Sequence, residues 1–506
     1  MSSVEEPAAG PFPDAPQAPP SRNLAFSSVR WSMLAVIGRQ VPQMLAALVL
    51  ARLLGPDTYG VISAATVYVT FTTLLLDQGL AVALVQRPEL DPRLPGAVAS
   101  ANLLSAAVLG IATIAASGLV AAFFRAPGLQ PLLMVLGAGL LVKGVAITPR
   151  AMLQRTLRFR DIGLADISGG VLGSAAGIIA AVAGSGVWSM AWMVLITDGV
   201  VAVVTSARAH AGRPNLHLGQ LRSILPFSLR VFGSNGLAFL SRNLDNVLVG
   251  RFLGVSALSV YAMSYRVLVV PVQFIGQTVT RVVFPLFSRV SGDRERLASG
   301  LLAATELLAF ATVPAMGAVS VAAPELIGLV LGPEWAAAVP ILTVLAIAGA
   351  RETIFYITNP LMRAMGAGSL IIRYEVLAAL VQLSGIIVGL QFGAFGVAVG
   401  LTLAGFVLSP VLLAIQRRFT GLPMLAQVGR MLPPVHAAAW AALAYLGVRW
   451  WLHSPVPVLL VGALAYLVVA GGVLLGVHRA ATRRVMAAAG DLFRPRRGAS
   501  PAGTPA

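Results

Sequence analysis

Three stretches of the sequence carry polar residues at steps of 7 and 11: Ser32, Arg39 and Gln43; Asn235, Arg242 and Asn246; and Arg266, Gln273 and Gln277. Arg281 follows the last set by one helical turn. Steps of 7 and 11 return to one face of an α-helix. Each set therefore draws a polar stripe, with an arginine in it, along a segment otherwise apolar enough for lipid. A cavity walled by guanidinium groups selects an anion, and arginine's planar fork suits bidentate contact with phosphate. Carboxylates at similar depth are fewer, among them Asp77, Asp198 and Asp245. Two roles stand open for them. They carry a coupling proton or sodium ion, or they neutralise arginines: Asp245 lies three residues from Arg242, and Asp77 is placed to meet Arg39.

These residues are costly where they stand. Arg39, Asp77, Asp198, Arg230, Arg242, Asp245, Arg266, Arg281 and Glu306 all fall inside apolar runs. Facing lipid at a helix centre, each costs about 2.5–3.5 kcal/mol. Together that is roughly 25 kcal/mol, above the net stability of a whole domain. Most of them must face protein or water.

The elements that position them are membrane-spanning helices. Of the 506 residues, 57% are hydrophobic and 11% charged, whereas a soluble protein carries about 25% charged residues. Apolar runs of roughly 20 residues recur about fourteen times, each long enough to cross a bilayer. The first two lie near 24–53 and 58–85, the seventh and eighth near 222–252 and 256–288. The start, "MSSVEEPAAGPFPDAPQAPP", has no apolar core and reads as a disordered cytosolic tail, not a secretory leader. With no cysteine, disulfide and thiol chemistry are excluded. The net charge of +17 fits cytoplasmic loops better than a nucleic-acid partner.

Arginine placement gives the sidedness. One set of alternate connections carries Arg87 and Arg93; Arg150, Arg155, Arg158 and Arg160; Arg208, Arg213 and Arg222; Arg289, Arg294 and Arg296; Arg363 and Arg373; and Arg417, Arg418 and Arg430. The tail adds Arg479, Arg483, Arg484, Arg494, Arg496 and Arg497. The other set ("GPD", "RAPG", "AGSG", "GVSA", "APELIGLVLGPEW", "QFGAFG", "RWWLHSP") is nearly bare. This alternation predicts an even number of spans, with both termini cytoplasmic and the bare connections outside.

The chain also repeats. "ARLLGPDTYGV" at 51–61 matches "GRFLGVSALSV" at 250–260, an offset of 199 that pairs Arg52 with Arg251, Gly55 with Gly254 and Gln78 with Gln277. "GSGVWSM" from Gly184 echoes "AFGVAVG" from Ala394. Spans 1–6 thus answer spans 7–12 in the same orientation, a parallel repeat about an axis along the membrane normal. The expected fold class is all-α and polytopic: two six-helix bundles and two further C-terminal helices. The segments are a tail at 1–22, bundles at 23–220 and 221–420, helices 13 and 14 at 421–478, and a basic cytoplasmic tail at 479–506.

No phosphate-binding P-loop, H-E-x-x-H metal motif or G-x-S-x-G elbow occurs. Neither an enzyme, a metal site nor a cofactor is expected. His210, His217, His436, His453 and His478 fall in loops or at span ends and read as solvated. "LGPEW" at 331–335 reads as a helix start with Trp335 at the membrane interface.

"ARLLGPDTYGVISAATVY", "NLDNVLVGRFLGVSALSVYAMSYRV", "VVFPLFSRV" and "LGPEW" resemble the Wzx-type polysaccharide-exporter flippases of the multidrug/oligosaccharidyl-lipid/polysaccharide (MOP) superfamily. The resemblance runs over roughly residues 24–420. It implies a MATE-like, two-lobed bundle in the bacterial inner membrane with a central cationic cavity, working by alternating access. The implied cargo is an undecaprenyl-pyrophosphate-linked oligosaccharide turned to the outer leaflet, with a polysaccharide polymerase or co-polymerase as a possible partner. Arg39, Arg242 and Arg266 would then be head-group contacts. An inside-negative potential would release about 2.3 kcal/mol per charge per 100 mV as the anion moves outward. Two other readings stand: a cation-coupled multidrug antiporter of the same superfamily, which needs carboxylates where this chain has arginines, and a non-transporting scaffold of an envelope assembly complex.

Overall fold

Inside a bilayer every backbone N–H and C=O must be satisfied within its own segment, so apolar runs of this length become helices. The computed structural model describes residues 22–76, 80–86, 90–209, 214–215, 217, 219 and 243–493, and the described residues contain helices and no strand. In chain order the helices are α1 (Arg22–Leu76), α2 (Leu80–Gln86), α3 (Leu94–Phe123), α4 (Leu129–Arg155), α5 (Phe159–Val182) and α6 (Trp188–Arg208). A helix over 243–252, α7, is followed by α8 (Val255–Arg289). Then come α9 (Arg294–Val321), α10 (Ala323–Val330), α11 (Ala338–Phe355), α12 (Thr358–Ala364), α13 (Gly368–Leu390), α14 (Gly393–Thr420), α15 (Met424–Trp451), α16 (Pro455–Gly476) and α17 (Arg479–Phe493). Among the described residues, eleven helices are long and apolar enough to cross a membrane.

The first of these is far longer than a single crossing needs. α1 has 55 residues, about 80 Å if straight, against a bilayer core of about 30 Å. It breaks at Gly55, whose φ of 70° and ψ of 171° suit a residue without a Cβ. Pro56 follows, pre-set for the first turn of a new helix and missing only an N–H that the turn leaves free. Gly254, 199 residues later, has a φ of 92° and separates α7 from α8 in the same way. "LGPEW" opens with the same turn, Gly332 at φ 100°, ψ 173° before a 3-10 turn over Pro333–Trp335. Trp335 is fully buried: the turn folds the indole inward.

The chain forms two compact units, Met1–Val260 and Tyr261–Ala506. In the first, α3 packs on α4, α5 on α6, and α1 on α5; in the second, α13 packs on α14, α15 on α16, and α9 on α11 and α15. Small residues make these contacts, as expected where lipid removes the hydrophobic drive and close backbone approach must supply the attraction. Gly173 lies against Met193 and Thr197, and Gly385 against Gly400. A Cβ on Gly400 would collide with the carbonyl of Gly385, backbone on backbone, where neither side can yield. Gly400→Val is therefore expected to cost about 1–3 kcal/mol or more of overpacking, read as a lower unfolding temperature in detergent, with Gly429→Val, in open space, as the control.

Within each unit the connections sort by arginine content. Arg155 donates to the Leu84 carbonyl (2.9 Å), Arg158 to Asp161 and to the Arg208 carbonyl (2.8 Å each), and Asn215 to the Arg93 carbonyl (2.8 Å). These all join arginine-rich connections. In the second unit, Phe287, Leu297 and Leu361 pack together with Phe419 and Leu422 beside them. On the arginine-poor side, Glu325 of α10 accepts from Tyr445 (3.2 Å) and pairs with Arg449 (3.2 Å), both on α15.

The segment read as a basic tail includes helix α17, which is tied to α9 through one carboxylate. Glu306 of α9, 2% exposed, takes Arg430 of α15 on one oxygen (2.8 Å) and Arg484 of α17 on the other (2.6 Å). Bonding to this carboxylate raises the Arg484 guanidinium above its usual pKa. His436 and His478, read as solvated, are wired together: the Trp440 indole N–H donates to His436 Nε2 (2.8 Å), and His436 Nδ1 lies 3.0 Å from His478 Nε2. Indole only donates, so in the neutral pair His436 carries its proton on Nδ1 and passes it toward His478.

Candidate substrate-pathway residues

In the first unit, the stripe residue Arg39 sits where α1 meets α5. A Cβ on Gly170 of α5 would stand 3.1 Å from Arg39 Cα, so the two backbones are nearly in contact. Arg39 and Gln43, one turn on, are both half-buried. Among the described residues, Asp198 of α6 lies within electrostatic reach of Arg39. Asp198 also pairs with Lys143 of α4 at 3.9 Å, and Lys143 donates to Thr73 of α1 at 3.1 Å. A cation, a carboxylate and a hydroxyl from three helices thus converge in the interior of one bundle. The sequence showed Lys143 as a lone lysine in the run "LLMVLGAGLLVKGVAI". The stronger signal is that Arg150 and Gln154 follow Lys143 at the same steps of 7 and 11, a polar stripe not among the three above.

Asp77, Asn235 and Arg242 lie outside the described residues. Asp245 of α7 is buried, and its Oδ1 accepts from the backbone N–H (2.8 Å) and the side-chain amide (3.2 Å) of Asn246. Asn246, expected to share a stripe with Arg242, thus turns its amide back onto Asp245. Arg266 is half-buried on α8. Positions 266, 273, 277 and 281 all lie on the single helix α8, so their spacing falls on one helical face. The side chains of Gln273, Gln277 and Arg281 are outside the described set.

The second unit holds another interior cation that the stripe search did not reach. Arg351 of α11 donates Nε–H to Ser409 of α14 (3.0 Å) and lies 5.0 Å from the centre of the Phe355 ring. Under the repeat expected from the sequence, α11 and α14 would correspond to α4 and α6, and a cation crosses each of these two helix pairs. The first bundle meets it with a carboxylate, the second with a hydroxyl. Among the described residues no group of three or more histidines, cysteines and carboxylates could hold a metal.

Long apolar helices with charged groups paired inside the bundle define a multi-pass helical membrane protein. A family model described as polysaccharide biosynthesis protein matches residues 49–340, and the chain belongs to that family. It is 27% identical over 395 residues to the lipopolysaccharide biosynthesis protein WzxC of Escherichia coli, covering 76% of this chain and 78% of that one. It is 25% identical over 354 residues to the succinoglycan biosynthesis transport protein ExoT of Rhizobium meliloti, covering 70% and 72%. Among solved structures, the lipid II flippase MurJ in an inward closed conformation superimposes with a TM-score of 0.69 at 14% identity, over 89% of this chain and 100% of that chain. An inward-facing multidrug resistance MATE family transporter of the MOP superfamily does so at 0.59 and 18% identity, over 76% and 98%. These establish a MurJ/MATE-like fold, where the resemblance implied a MATE-like one.

Proposed function

We propose that the protein is a flippase that moves an undecaprenyl-pyrophosphate-linked oligosaccharide from the cytoplasmic to the outer leaflet of a bacterial inner membrane. The observation that carries this reading is the family match over residues 49–340, joined by one relative named for lipopolysaccharide biosynthesis and one named for succinoglycan biosynthesis transport. The fold of a lipid II flippase supports it. Both termini are cytoplasmic. Fourteen spans follow when the two crossings in α1 are counted separately and α7 and α8 are added to the eleven candidate helices. The cavity is lined by Arg39, Gln43, Asn235, Arg242, Asn246, Arg266, Gln273, Gln277 and Arg281, and it works by alternating access between bundles 23–220 and 221–420 without a cofactor. A polymerase or co-polymerase takes the glycan on the outer side.

The antiporter reading needs carboxylates free to bind a cationic drug. Asp166 is instead clamped by Arg150 at 2.6 and 2.8 Å, Asp198 faces Lys143, and Glu306 holds two arginines. The deciding experiment is a leaflet-exchange assay with purified protein in liposomes and a fluorescent polyprenyl-pyrophosphate sugar. Exchange is expected to exceed that of protein-free liposomes and to speed up when the potential favours movement of the anion toward its positive side. Two charges gain roughly 4.6 kcal/mol per 100 mV. Exchange no faster than in empty liposomes, with or without potential, would sink the reading.

A further inference from the structure

α16 has 22 residues, about 33 Å of helix, and uses that length to cross the bilayer core. α17 begins three residues after α16 ends, at Arg479, and so starts at headgroup depth on the arginine-rich side. Its sequence, RAATRRVMAAAGDLF, has two unlike halves at helical spacing. Ala481, Val485, Ala488 and Leu492 form one stripe, and Thr482, Met486, Ala489 and Phe493 the next. Arg479, Arg483, Arg484 and Asp491 share the remaining arc. Ala481 and Thr482 are buried where the helix packs on α9 and α16. Arg484 is taken by Glu306. Arg479 and Arg483 are exposed, and among the described residues neither pairs with a carboxylate. Arg479 bonds only backward, from Nε–H to the Leu475 carbonyl (2.9 Å). Apolar side chains stand exposed around them: Leu475 and Val477 just before the helix, and Met486 after Arg483. Cationic and apolar surface side by side is the composition of helices that lie in the headgroup layer. From Arg479 to Arg497 the sequence sets six arginines against one carboxylate, Asp491, and a cluster of that size beside a span attracts anionic lipid. An acidic protein would match the charge, but it would leave the apolar side chains without a partner.

We propose that α17 docks on the leaflet at the arginine-rich side, where Arg479 and Arg483 bind the phosphates of anionic phospholipids and Met486 enters the acyl boundary. Glu306 sets the rotation of the helix: by holding Arg484 against α9 it leaves the other two arginines facing outward. The docking needs no cargo and is independent of the flippase reading. Attraction of this kind is screened by salt. Each arginine near an anionic surface strengthens attachment about fivefold, so the pair contributes roughly thirtyfold.

The chain has no cysteine, so Met486→Cys supplies its only thiol. The full-length variant is labelled there with a polarity-sensitive fluorophore and placed in nanodiscs, of phosphatidylcholine alone or mixed with phosphatidylglycerol. With phosphatidylglycerol the emission should move to shorter wavelength and quenching by acrylamide should weaken, and added salt should reverse both. R479Q/R483Q in the labelled background should cut the docked-to-undocked ratio roughly thirtyfold, whereas R479K/R483K should keep most of it. Both pairs leave Glu306 and Arg484 in place, so unfolding temperatures in detergent should match that of the labelled parent. If R479Q/R483Q unfolds earlier, the lysine pair and the salt series decide: a lipid difference that salt removes supports the docking, and one that salt leaves untouched overturns it. Equal emission and quenching in the two lipids would overturn the proposal outright. A difference that survives in a stably folded R479Q/R483Q would show apolar insertion without the arginines, and would overturn it too. If soluble polyglutamate shifts the label in phosphatidylcholine nanodiscs as far as phosphatidylglycerol does, the surface fits an acidic polypeptide and the lipid assignment is wrong.

Discussion

Arg266→Ala and Arg242→Ala are each expected to cut export of the lipid-linked glycan at least tenfold, and the double variant to bring it to background, with the amount of protein in the membrane unchanged. A hydrogen bond to a charged group contributes about 1.5–3 kcal/mol, a factor of roughly ten to a hundred in binding. A pyrophosphate that loses one guanidinium loses at least one such contact. Insertion should not suffer, because an arginine at membrane depth costs the fold energy and alanine does not. Arg266 is half-buried on α8. Amounts in the membrane are measured by quantitative blotting and export by surface glycan in a strain lacking its own flippase. Full export by both single variants and by the double variant would end the anion-cavity idea. A scaffold would survive those substitutions, so the same result would favour it.

Glu306→Ala should be the most damaging single change to the second unit. It leaves Arg430 and Arg484 facing a cavity where a carboxylate stood. Breaking a buried ion pair from one side costs about 3–5 kcal/mol. Because the side chains of Arg430 and Arg484 are 31% and 48% exposed, water can reach them, and the lower end, about 3 kcal/mol, is expected. Glu306→Gln keeps an acceptor and should cost less. Two readouts separate this from general misfolding: a fall in unfolding temperature in detergent, and faster trypsin cleavage at Arg479, Arg483 and Arg484 as α17 lets go. Unchanged cleavage in Glu306→Ala would show that α17 is held by other contacts, for which Thr482, bonded to the Leu474 carbonyl at 2.7 Å, is the nearest candidate.

What the sequence disclosed and what it hid divide along a physical line. Properties local in the chain were legible. Gly55 and Gly254 announced two corners at one spacing, and both adopt positive φ. Arginine-rich and arginine-poor connections predicted two sides, and within each unit the bonded connections are of one kind. The expense of Glu306 was also visible. Its partners were not, because they lie 124 and 178 residues away and depend on which helices become neighbours. Lys143 and Asp198 illustrate the same limit, since each is a lone charge in an apolar run until α4 and α6 are placed together. Asn246 shows a contact that spacing does not give: its amide donates to the carboxylate of Asp245 beside it.

The Glu306 clamp also sets a schedule for how the protein is made. Its carboxylate leaves the ribosome 124 residues ahead of Arg430 and 178 ahead of Arg484. At about 5–20 residues per second, it enters the membrane roughly ten to forty seconds before its last partner exists. For that interval the second unit cannot reach its final form, whatever the rate at which its helices pack. A ribosome that stalls between the codons for Arg430 and Arg484 therefore leaves a half-clamped chain, a distinct target for membrane quality control.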